Sequence, residues 1–469
     1  MASARDWAEA EFGEAELGDA RRTSRLVLLA ADAATRPSGK VTTTCESSAT
    51  REGAFRFLEN SAVRSSAIAG CVHTATVGRC AGHKLVFVPI DGTSLRITDT
   101  ANEKGLGPIG RWGTSLRGAH VMSALVIDLA GRALGLVAQK MWVRDKKSVR
   151  RGSCAAYGGE SEAWVEVLTD ASASFASKAP GTTPWFQMDR GADCWQVLTH
   201  ARAAALLVTI RATHDRRVDA DIDRLWKAVQ NAPLLAKKKL LVPARGRVWK
   251  RKRVGKRRRM KWLNVARAAH VAKLEIRAAS VPLIITTPEG PSTVAFNAVL
   301  VREVSRSAEP IEWLLLTTHA VMTRADVLEV VRGYTLRWRI EDFHRVWKRG
   351  LCNVEDTQLR SRNSIFKWAT LLAAVATRAM RLTHLARSAP GSPASAEFTT
   401  VELEALVALR KPRDYDGHEL TLLEAVRWTA DLGGYIGPSN GPPGATVISR
   451  GLFKVLIAAE AFENRDKMR

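Results

Sequence analysis

The sequence predicts an α/β fold in which a mixed sheet lies between helical regions at the two ends of the chain. Three observations support this class. Short apolar runs of strand length alternate with amphipathic helical segments through the middle of the chain. Before residue 66 and after residue 386, apolar residues recur at helical spacing instead. A length of 469 residues is also sufficient for two to four domains.

The first 66 residues predict three short helices. The stretches RDWAEAEF, DARRTSRLVLLAADAAT and ATREGAFRFLEN have helical apolar spacing, and Pro37 with the Ser-Gly pair after it ends the second. Arg21, Arg22 and Arg56 would be exposed on these helices. Such a unit suits a DNA-docking module or a plain helical cap.

Two aspartates follow predicted strands in the middle of the chain. The apolar run over residues 85–90 predicts a buried strand that ends at Asp91, and a hairpin of residues 121–127 and 134–142 follows. After a helix, the segment WFQMDRGAD predicts a strand that ends at Asp189, and then come a helix and the strand LLVTIRA. Catalytic groups gather at strand ends in open α/β sheets, although either aspartate alone would suit a turn.

A third carboxylate lies in the segment YTLRWRIEDFHRVWKRG. At about 100° per residue of a helix, one polar stripe carries Tyr334, Arg337, Glu341 and Lys348. Apolar residues occupy the opposite face, and His344 lies at the margin of the stripe, where we expect it to contact phosphate or solvent. A charged helix face is most often solvated. Because Glu341 adds a third acid to the two at the strand ends, we expect this stripe to face a substrate.

Three converging carboxylates are costly unless cations neutralise them, and this predicts a metal site. Mg²⁺ binds one or two carboxylates and completes its shell with water and substrate phosphates, and Mn²⁺ would substitute for it. Two such ions roughly 4 Å apart would activate the attacking oxygen and stabilise the leaving one in a phosphoryl transfer. The sequence therefore predicts a metal-dependent enzyme that acts on phosphodiesters.

The charge of the chain indicates a polyanionic partner. Lys and Arg number 71 against 47 Asp and Glu, which leaves a net charge of +24. From residue 245 to 261, eleven of seventeen residues are basic and none is acidic. This block would neutralise phosphates of DNA without sequence preference, although like-charge runs are also found as solvated loops.

The remaining composition favours a cytoplasmic protein without membrane contact. Six cysteines are scattered without a CxxC pair, which is typical of reduced thiols. No apolar run approaches the length of a membrane span, and the acidic N-terminal stretch lacks the apolar core of a signal peptide.

These motifs together resemble a known family. The strand order, with carboxylates at these points, resembles the ribonuclease-H-like fold of DDE transposases and retroviral integrases. The spacing Y-x2-R-x3-E-x6-K is similar to the signature of a bacterial insertion-sequence branch, that of the transposon-five transposase. Further similar stretches extend over nearly the whole chain: LGDARRTSRL, EGAFRFLEN, DGTSL, QKMWVR, DRGAD and EWLLLTT.

The resemblance implies roles for particular residues. The metal-binding catalytic triad would be Asp91, Asp189 and Glu341, and the residues that hold the DNA backbone near the scissile phosphate would be Tyr334, Arg337 and Lys348. Trp313 would accommodate a flipped base, although a core tryptophan is the alternative. Arg211 and His214 would contact DNA near a hairpin end. The basic block would add DNA contacts through Arg251, Lys252, Arg253, Arg257, Arg258 and Arg259.

The resemblance also implies the organisation of the chain. Residues 1–66 would form a helical DNA-binding domain, and residues 67–385 a ribonuclease-H-like catalytic domain with a β-rich insertion at about 212–312. Residues 386–469 would form a helical domain that pairs two protomers on DNA, although its apolar stripes would equally suit packing against its own chain. Gly191 departs from the family pattern, in which a glutamate is common at this position.

The implied function is cut-and-paste DNA transposition. The protein would bind inverted repeats at the transposon ends, nick and excise them through a hairpin intermediate, and join the 3′-hydroxyl ends to target double-stranded DNA. Two alternatives remain open. One is a metal-dependent nuclease without strand transfer, and the other is a non-catalytic DNA-binding relative.

Overall fold

The computed structural model describes residues 4–110, 115–144, 159–218, 224–242, 245–254, 259–305, 310–410, 415–437 and 442–467, and in the strands between residues 245 and 266 it describes the backbone alone. The chain forms two compact units. The first comprises Met1–Thr209, Gly333–Tyr435 and Pro443–Arg469, and the second comprises Ile210–Arg332 and Ile436–Pro442. In the described part of the chain, no helix is long and apolar enough to span a bilayer.

The first unit begins with helices. Their bounds are α1 Ala4–Phe12, α2 Ala20–Thr35, α3 Val41–Thr44, α4 Ser48–Glu59 and α5 Ser65–Arg79. The side chain of Asp19 accepts a hydrogen bond from the backbone N–H of Arg21 and so caps α2, while Ser47 and Thr50 form a capping box on α4. The three predicted helices are confirmed as α1, α2 and α4. The sequence did not predict α3 or α5.

The sheet of the first unit is mixed, as predicted. Its strands are β1 Leu85–Arg96, β2 Gly107–Pro108, β3 Arg117–Ile127, β4 Ala133–Trp142, β5 Thr183–Met188 and β6 Leu207–Arg211. They lie in the order β2-β3-β1-β5-β6, and β4 pairs with β3. Strand β1 is antiparallel to β3 and parallel to β5. The two predicted helices between these strands are α6 Glu160–Lys178 and α7 Trp195–Ala203.

One predicted strand end was wrong. Strand β1 does not stop at Asp91, because the backbone stays paired with β3 from Asp91, opposite Ser123, to Arg96, opposite Gly118. Only the continuous buried run stops there, since residues 86–90 are buried and Asp91 is half-buried. The apolar pattern therefore located where the core ends, and the hydrogen-bonded ladder continues beyond it.

The predicted helix over residues 334–350 is interrupted. The helices here are α9 Arg324–Leu336, α10 Arg339–Lys348 and α11 Arg362–Ser388. Between α9 and α10 the backbone N–H of Arg337 donates to Tyr334 O, and that of Glu341 donates to Trp338 O. These bonds to the third preceding residue tighten the backbone locally. A constant 100° step therefore does not hold across residues 337 and 338.

The C-terminal helices of the first unit pack within their own chain. They are α12 Thr400–Arg410, α13 Leu422–Leu432 and α14 Ala445–Lys467. Leu406, Val426 and Val455 are buried in the same core as residues of α11. The Pro/Ser/Ala segment before them is also packed, since Ala394 is buried and its N–H donates to Leu420 O. Intrachain packing, one of the two alternatives for this region, is therefore observed.

The second unit is rich in antiparallel strands. Its elements are α8 Leu225–Gln230, β7 Leu234–Val242, β8 Arg245–Val254, β9 Arg259–Arg267, β10 His270–Thr287, β11 Gly290–Glu303 and β12 Glu312–Thr317. Strands β12, β11, β10 and β7 are neighbours in that order, and β8 pairs with β9 in a separate two-stranded sheet. Strands β7 to β11 lie within residues 212–312, where the sequence predicts a β-rich insertion.

Candidate active site

Asp91 and Asp189 occupy matching places on neighbouring strands. In the parallel pair of β1 and β5, Ile90 lies opposite Met188, and each aspartate comes one residue later. Because parallel strands run in the same direction, both carboxylates lie at the same edge of this part of the sheet. The strand register thus brings together two acids that are almost a hundred residues apart in sequence.

Asp189 is held by the turn that follows it. Its Oδ1 accepts a hydrogen bond from the N–H of Gly191 at 2.7 Å and caps the short 3₁₀ turn Arg190–Ala192. A Cβ at residue 191 would lie 3.1 Å from that same Oδ1 and 3.4 Å from the ring of Trp164. Gly191, the departure from the family pattern, therefore leaves space beside the carboxylate that a larger residue would press upon.

Arg337 joins two of the three predicted acids. Its Nη1 lies 3.3 Å from Asp91 Oδ2, and its Nη2 lies 3.1 Å from Glu341 Oε1. The Arg337 side chain is only 6% exposed. Its Cζ also lies over the ring of Tyr334, 5.8 Å from the centroid. A buried guanidinium with two carboxylate partners has a fixed direction, because its planar fork fits both at once.

Arg337 compensates only part of the negative charge of the three acids. Burial and the neighbouring charges of Asp189 and Glu341 raise the pKa of Asp91 to about 7, although Arg337 acts in the opposite direction. One cation thus faces three carboxyl groups that interact electrostatically. Additional positive charge at this place would stabilise the ionised form of Asp91.

The side chains fit a hard divalent cation in donor chemistry and in charge. Carboxylate oxygens are the ligands that Mg²⁺ prefers. Burial first, and then the charges of Asp189 and Glu341, raise the pKa of Asp91, and a bound cation would offset both effects. Across the described residues, however, no three His, Cys, Asp or Glu side chains are placed to hold a single ion. Arg337 bridges Asp91 and Glu341 in this arrangement, so a metal would share or replace its contacts.

Lys348 lies beside the acids through β1. Its Nζ donates to Thr93 Oγ1 at 2.9 Å. Thr93 is two residues from Asp91 and therefore lies on the same face of the strand. Burial lowers the pKa of Lys348, while the nearby Glu355 raises it. Spacing along the helix predicted that Lys348 and Glu341 would share a face. Strand β1 contacts both ends of this segment, because Thr93 accepts from Lys348 and Asp91 pairs with Arg337.

His344 contradicts its prediction. It is buried, and burial together with the charges of Lys348 and Arg337 lowers its pKa to about 3. Its ring lies 5.4 Å from that of Phe343, which in turn stacks on Trp347. Since α10 directs this side into the core, His344 is a neutral, buried residue and not part of a solvent-facing stripe. Tyr334 is likewise buried, at 2% exposure, beneath Arg337.

The predicted DNA-contacting residues of the second unit have varied surroundings. Arg211 Nη2 donates to Glu312 O at 3.0 Å, and His214 is exposed. Trp313 is buried within β12, opposite Val301, as the core alternative expects. The backbone of the block places Arg251, Lys252 and Arg253 in β8 and Arg259 in β9, and their side chains lie outside the description. Arg257 and Arg258 fall outside the described residues.

The sequence reasoning missed three residues at this site. Thr93 carries a signal in its spacing, since it is two positions beyond Asp91 on a strand. Glu355 contacts Lys348 through a turn that no periodicity announces. Gly333 precedes Tyr334, and a Cβ there would lie 2.7 Å from Phe87 Cε1 and 2.9 Å from Gln187 Nε2. The absence of a side chain at Gly333 thus permits the close approach of the helix to the sheet.

Two protein-family models match the chain. The model described as "Transposase DNA-binding" matches residues 4–63, which contain α1 to α4. The model described as "Transposase DDE domain" matches residues 161–378, which contain Asp189, Arg337, Glu341 and Lys348. Asp91 lies before the second match.

Proposed function

Because its DNA-binding domain and its DDE domain support a DNA transposase, we propose that this protein is a cut-and-paste transposase of the insertion-sequence branch with the Y-x2-R-x3-E-x6-K signature. It binds the two ends of a mobile element in double-stranded DNA, cuts them by metal-dependent phosphoryl transfer and joins the freed 3′-hydroxyls to a target.

The observation that carries this proposal is the convergence of acids and cations in the first unit. Asp91 and Asp189 follow paired residues of adjacent parallel strands, and Arg337 links Asp91 to Glu341. Lys348 Nζ donates to Thr93, which lies two residues beyond Asp91 on the same face of β1. Cleavage of a phosphodiester needs metal cations at the bond that is cut and a further cation at the DNA backbone. The excess carboxylate charge would hold the metal, and the lysine would contact the backbone.

In the proposed mechanism the acids and the cations have separate tasks. Asp91, Asp189 and Glu341 would hold Mg²⁺ or Mn²⁺, and such an ion would supply Lewis-acid activation of the attacking oxygen and stabilisation of the leaving one. Arg337 offsets part of the charge of the acids and keeps two of them in fixed directions. Lys348 binds the phosphate next to the cut, and Tyr334 supports Arg337 from beneath.

The order of reactions rests on the family resemblance. Water first nicks one strand at each end, and the new 3′-hydroxyl attacks the opposite strand to give a hairpin. Water reopens the hairpin, and the same 3′-hydroxyl joins target DNA. Trp313, Arg211 and His214 would handle the hairpin end, and the basic residues of β8, β9 and their connection would hold the DNA backbone.

Synapsis of two ends requires two protomers, and we propose a homodimer on DNA. The C-terminal helices retain exposed apolar residues that suit such a contact: Leu423, Phe453 and Ile457. Residues 1–66, 67–385 and 386–469 would act as the end-binding, catalytic and pairing domains.

The test is a reaction of the purified protein with Mg²⁺ and a plasmid that carries the DNA flanking its gene. Mapping of product ends should find nicks at two inverted repeats, hairpin ends and insertion into a second plasmid. Scattered cuts without joining would favour the nuclease alternative. Binding of the ends without any cut, in Mg²⁺ or Mn²⁺, would favour the non-catalytic relative.

A further inference from the structure

Glu355 links Lys348 to the end of strand β1. It lies in the short 3₁₀ turn Val354–Asp356, just beyond α10. Its Oε1 accepts a hydrogen bond from the N–H of Arg96, at the end of β1, at 2.9 Å and lies 3.6 Å from Lys348 Nζ. Its Oε2 accepts from Arg349 Nε at 2.6 Å. The side chain is only 9% exposed, so this carboxylate is a fixed part of the site.

The turn itself is held from its other side. Asn353 has a left-handed backbone with φ of 43°, which is uncommon for residues other than glycine and which asparagine adopts more often than most. Gly39 lies against it so closely that a Cβ would come 2.1 Å from Asn353 O. Asp356 Oδ2 lies 3.2 Å from Lys40 Nζ. Glu355 is therefore presented by a turn whose position is set by the loop that follows α2.

A carboxylate at this place opposes simple DNA affinity. A negative charge beside a phosphate-binding lysine repels the polyanion, so attraction alone would favour a neutral residue. A lysine side chain is also a flexible stem with a point charge at its end, and an exposed one has many rotamers. Glu355 and Thr93 together confine Lys348 Nζ to the strand face that carries Asp91.

We infer that Glu355 is a positioning residue, which fixes the ammonium group of Lys348 at the place where the scissile strand's phosphate must bind. This inference rests on the proposed function. Glu355 does not touch the DNA, and its effect passes through Lys348. The charge of Glu355 weakens the electrostatic attraction for DNA, but Glu355 keeps the phosphate in one orientation through Lys348. Orientation governs the rate of the chemical step.

The variant that tests this role is Glu355→Gln, since glutamine keeps an acceptor for the N–H of Arg96 and removes the charge. The nicking rate at saturating DNA should fall about 10-fold or more, because a phosphate displaced by a fraction of an ångström reacts slowly. The affinity for the same DNA should stay equal or become tighter. A merely structural role would lower affinity, rate and thermal stability together.

The matched control is Asp356→Asn, which removes the same charge from the adjacent residue. Asp356 pairs with Lys40 and does not contact Lys348, so nicking should stay within about twofold of the wild type, as for an exposed ion pair. Each variant is also made in a Lys348→Ala protein. There, Glu355→Gln should cause no further loss, since the two residues act as one unit.

The outcomes separate this inference from the proposed function. A wild-type protein that never nicks its flanking DNA overturns both. A wild-type protein that nicks, with equal nicking by Glu355→Gln, overturns the positioning role alone. The same conclusion follows if Glu355→Gln slows the Lys348→Ala protein by as much as it slows the wild type.

Discussion

Arg337 lies in the break between α9 and α10, Lys348 lies at the end of α10, and the surroundings of the two cations differ. The Arg337 side chain is 6% exposed and contacts two carboxylates that we propose as metal ligands, Asp91 and Glu341. The Lys348 side chain is 22% exposed, and its carboxylate partner, Glu355, is not a proposed ligand. A forked guanidinium suits two fixed acids, whereas an ammonium group suits a phosphate that arrives and leaves. We therefore assign Arg337 to charge compensation of the acids and Lys348 to binding of the substrate phosphate.

The largest effect is expected from Arg337→Gln, which tests whether Arg337 is the counter-ion of the acids. Without the guanidinium, Asp91 and Glu341 lose their counter-ion, and the free energy of unfolding should fall by about 3 kcal/mol, the lower end for a broken buried pair because both acids are partly exposed. Nicking should fall about 100-fold or more. Mg²⁺ should raise the melting temperature of this variant by more than it raises that of the wild type. Denaturant unfolding and thermal scans with and without Mg²⁺ measure these effects.

Lys348→Ala provides the matched control. Its unfolding free energy should stay within about 1 kcal/mol of the wild type, since the pair with Glu355 is partly exposed, while nicking falls. Equal destabilisation by the two substitutions would contradict the division between the two cations.

A smaller effect is expected from Gly333→Ala, which changes the approach of the Arg337 end of the segment to the sheet. The added Cβ would meet Phe87 and Gln187 at under 3.0 Å, and overpacking of this kind destabilises by about 2 kcal/mol. Gly70→Ala is the control, since a Cβ on this residue of α5 meets nothing within 4 Å. That variant should be neutral or more stable by up to about 1 kcal/mol. Chemical denaturation of both proteins is the measurement, and equal stability would contradict the close contact at Gly333.

The smallest effect concerns pH. The pKa of Asp91 is raised to about 7 in the folded protein, above its unfolded value, so ionisation of Asp91 destabilises the fold. Its contribution to stability is fully present at low pH and is lost as pH rises through about 7. Between pH 6 and 8 the metal-free protein should lose about 1 kcal/mol of stability, because the pKa of Asp91 rises from its ordinary value of 3.8 to about 7 on folding. Asp91→Asn should remove this loss, and an unchanged pH dependence in that variant would assign the effect to another group.

The sequence predicts the parts of this molecule that depend on periodicity. The strands β1, β3, β4, β5 and β6 in that order along the chain, and the helices α1, α2 and α4, follow from apolar spacing and local caps. The positions of Asp91 and Asp189 at the ends of the buried runs follow as well. The shared face of Arg337 and Glu341 also follows, because the two are a single turn apart. The ion pair between Arg337 and Glu341 agrees with that spacing, and Arg337 also pairs with Asp91.

The remaining features depend on tertiary contacts that periodicity does not encode. The backbone tightens at residues 337 and 338, so a constant helical step from Tyr334 does not place His344, which lies in the core and not at the margin of a polar stripe. Glu355 contacts Lys348 from a turn that begins at Asn353, whose left-handed backbone packs against Gly39. A turn of this kind has no apolar pattern, and its geometry follows from the loop packed against it.

The most direct test of a metal-dependent acidic site is the rate of first-strand nicking in Mg²⁺ on a duplex that carries one flanking repeat. Wild-type protein is compared with Glu341→Gln, which keeps a hydrogen-bond acceptor for Arg337 and removes one proposed ligand charge. We expect equal DNA binding by the two proteins and a nicking rate lower by about 1,000-fold in the variant. Nicking by Glu341→Gln at the wild-type rate would contradict the assignment of this site.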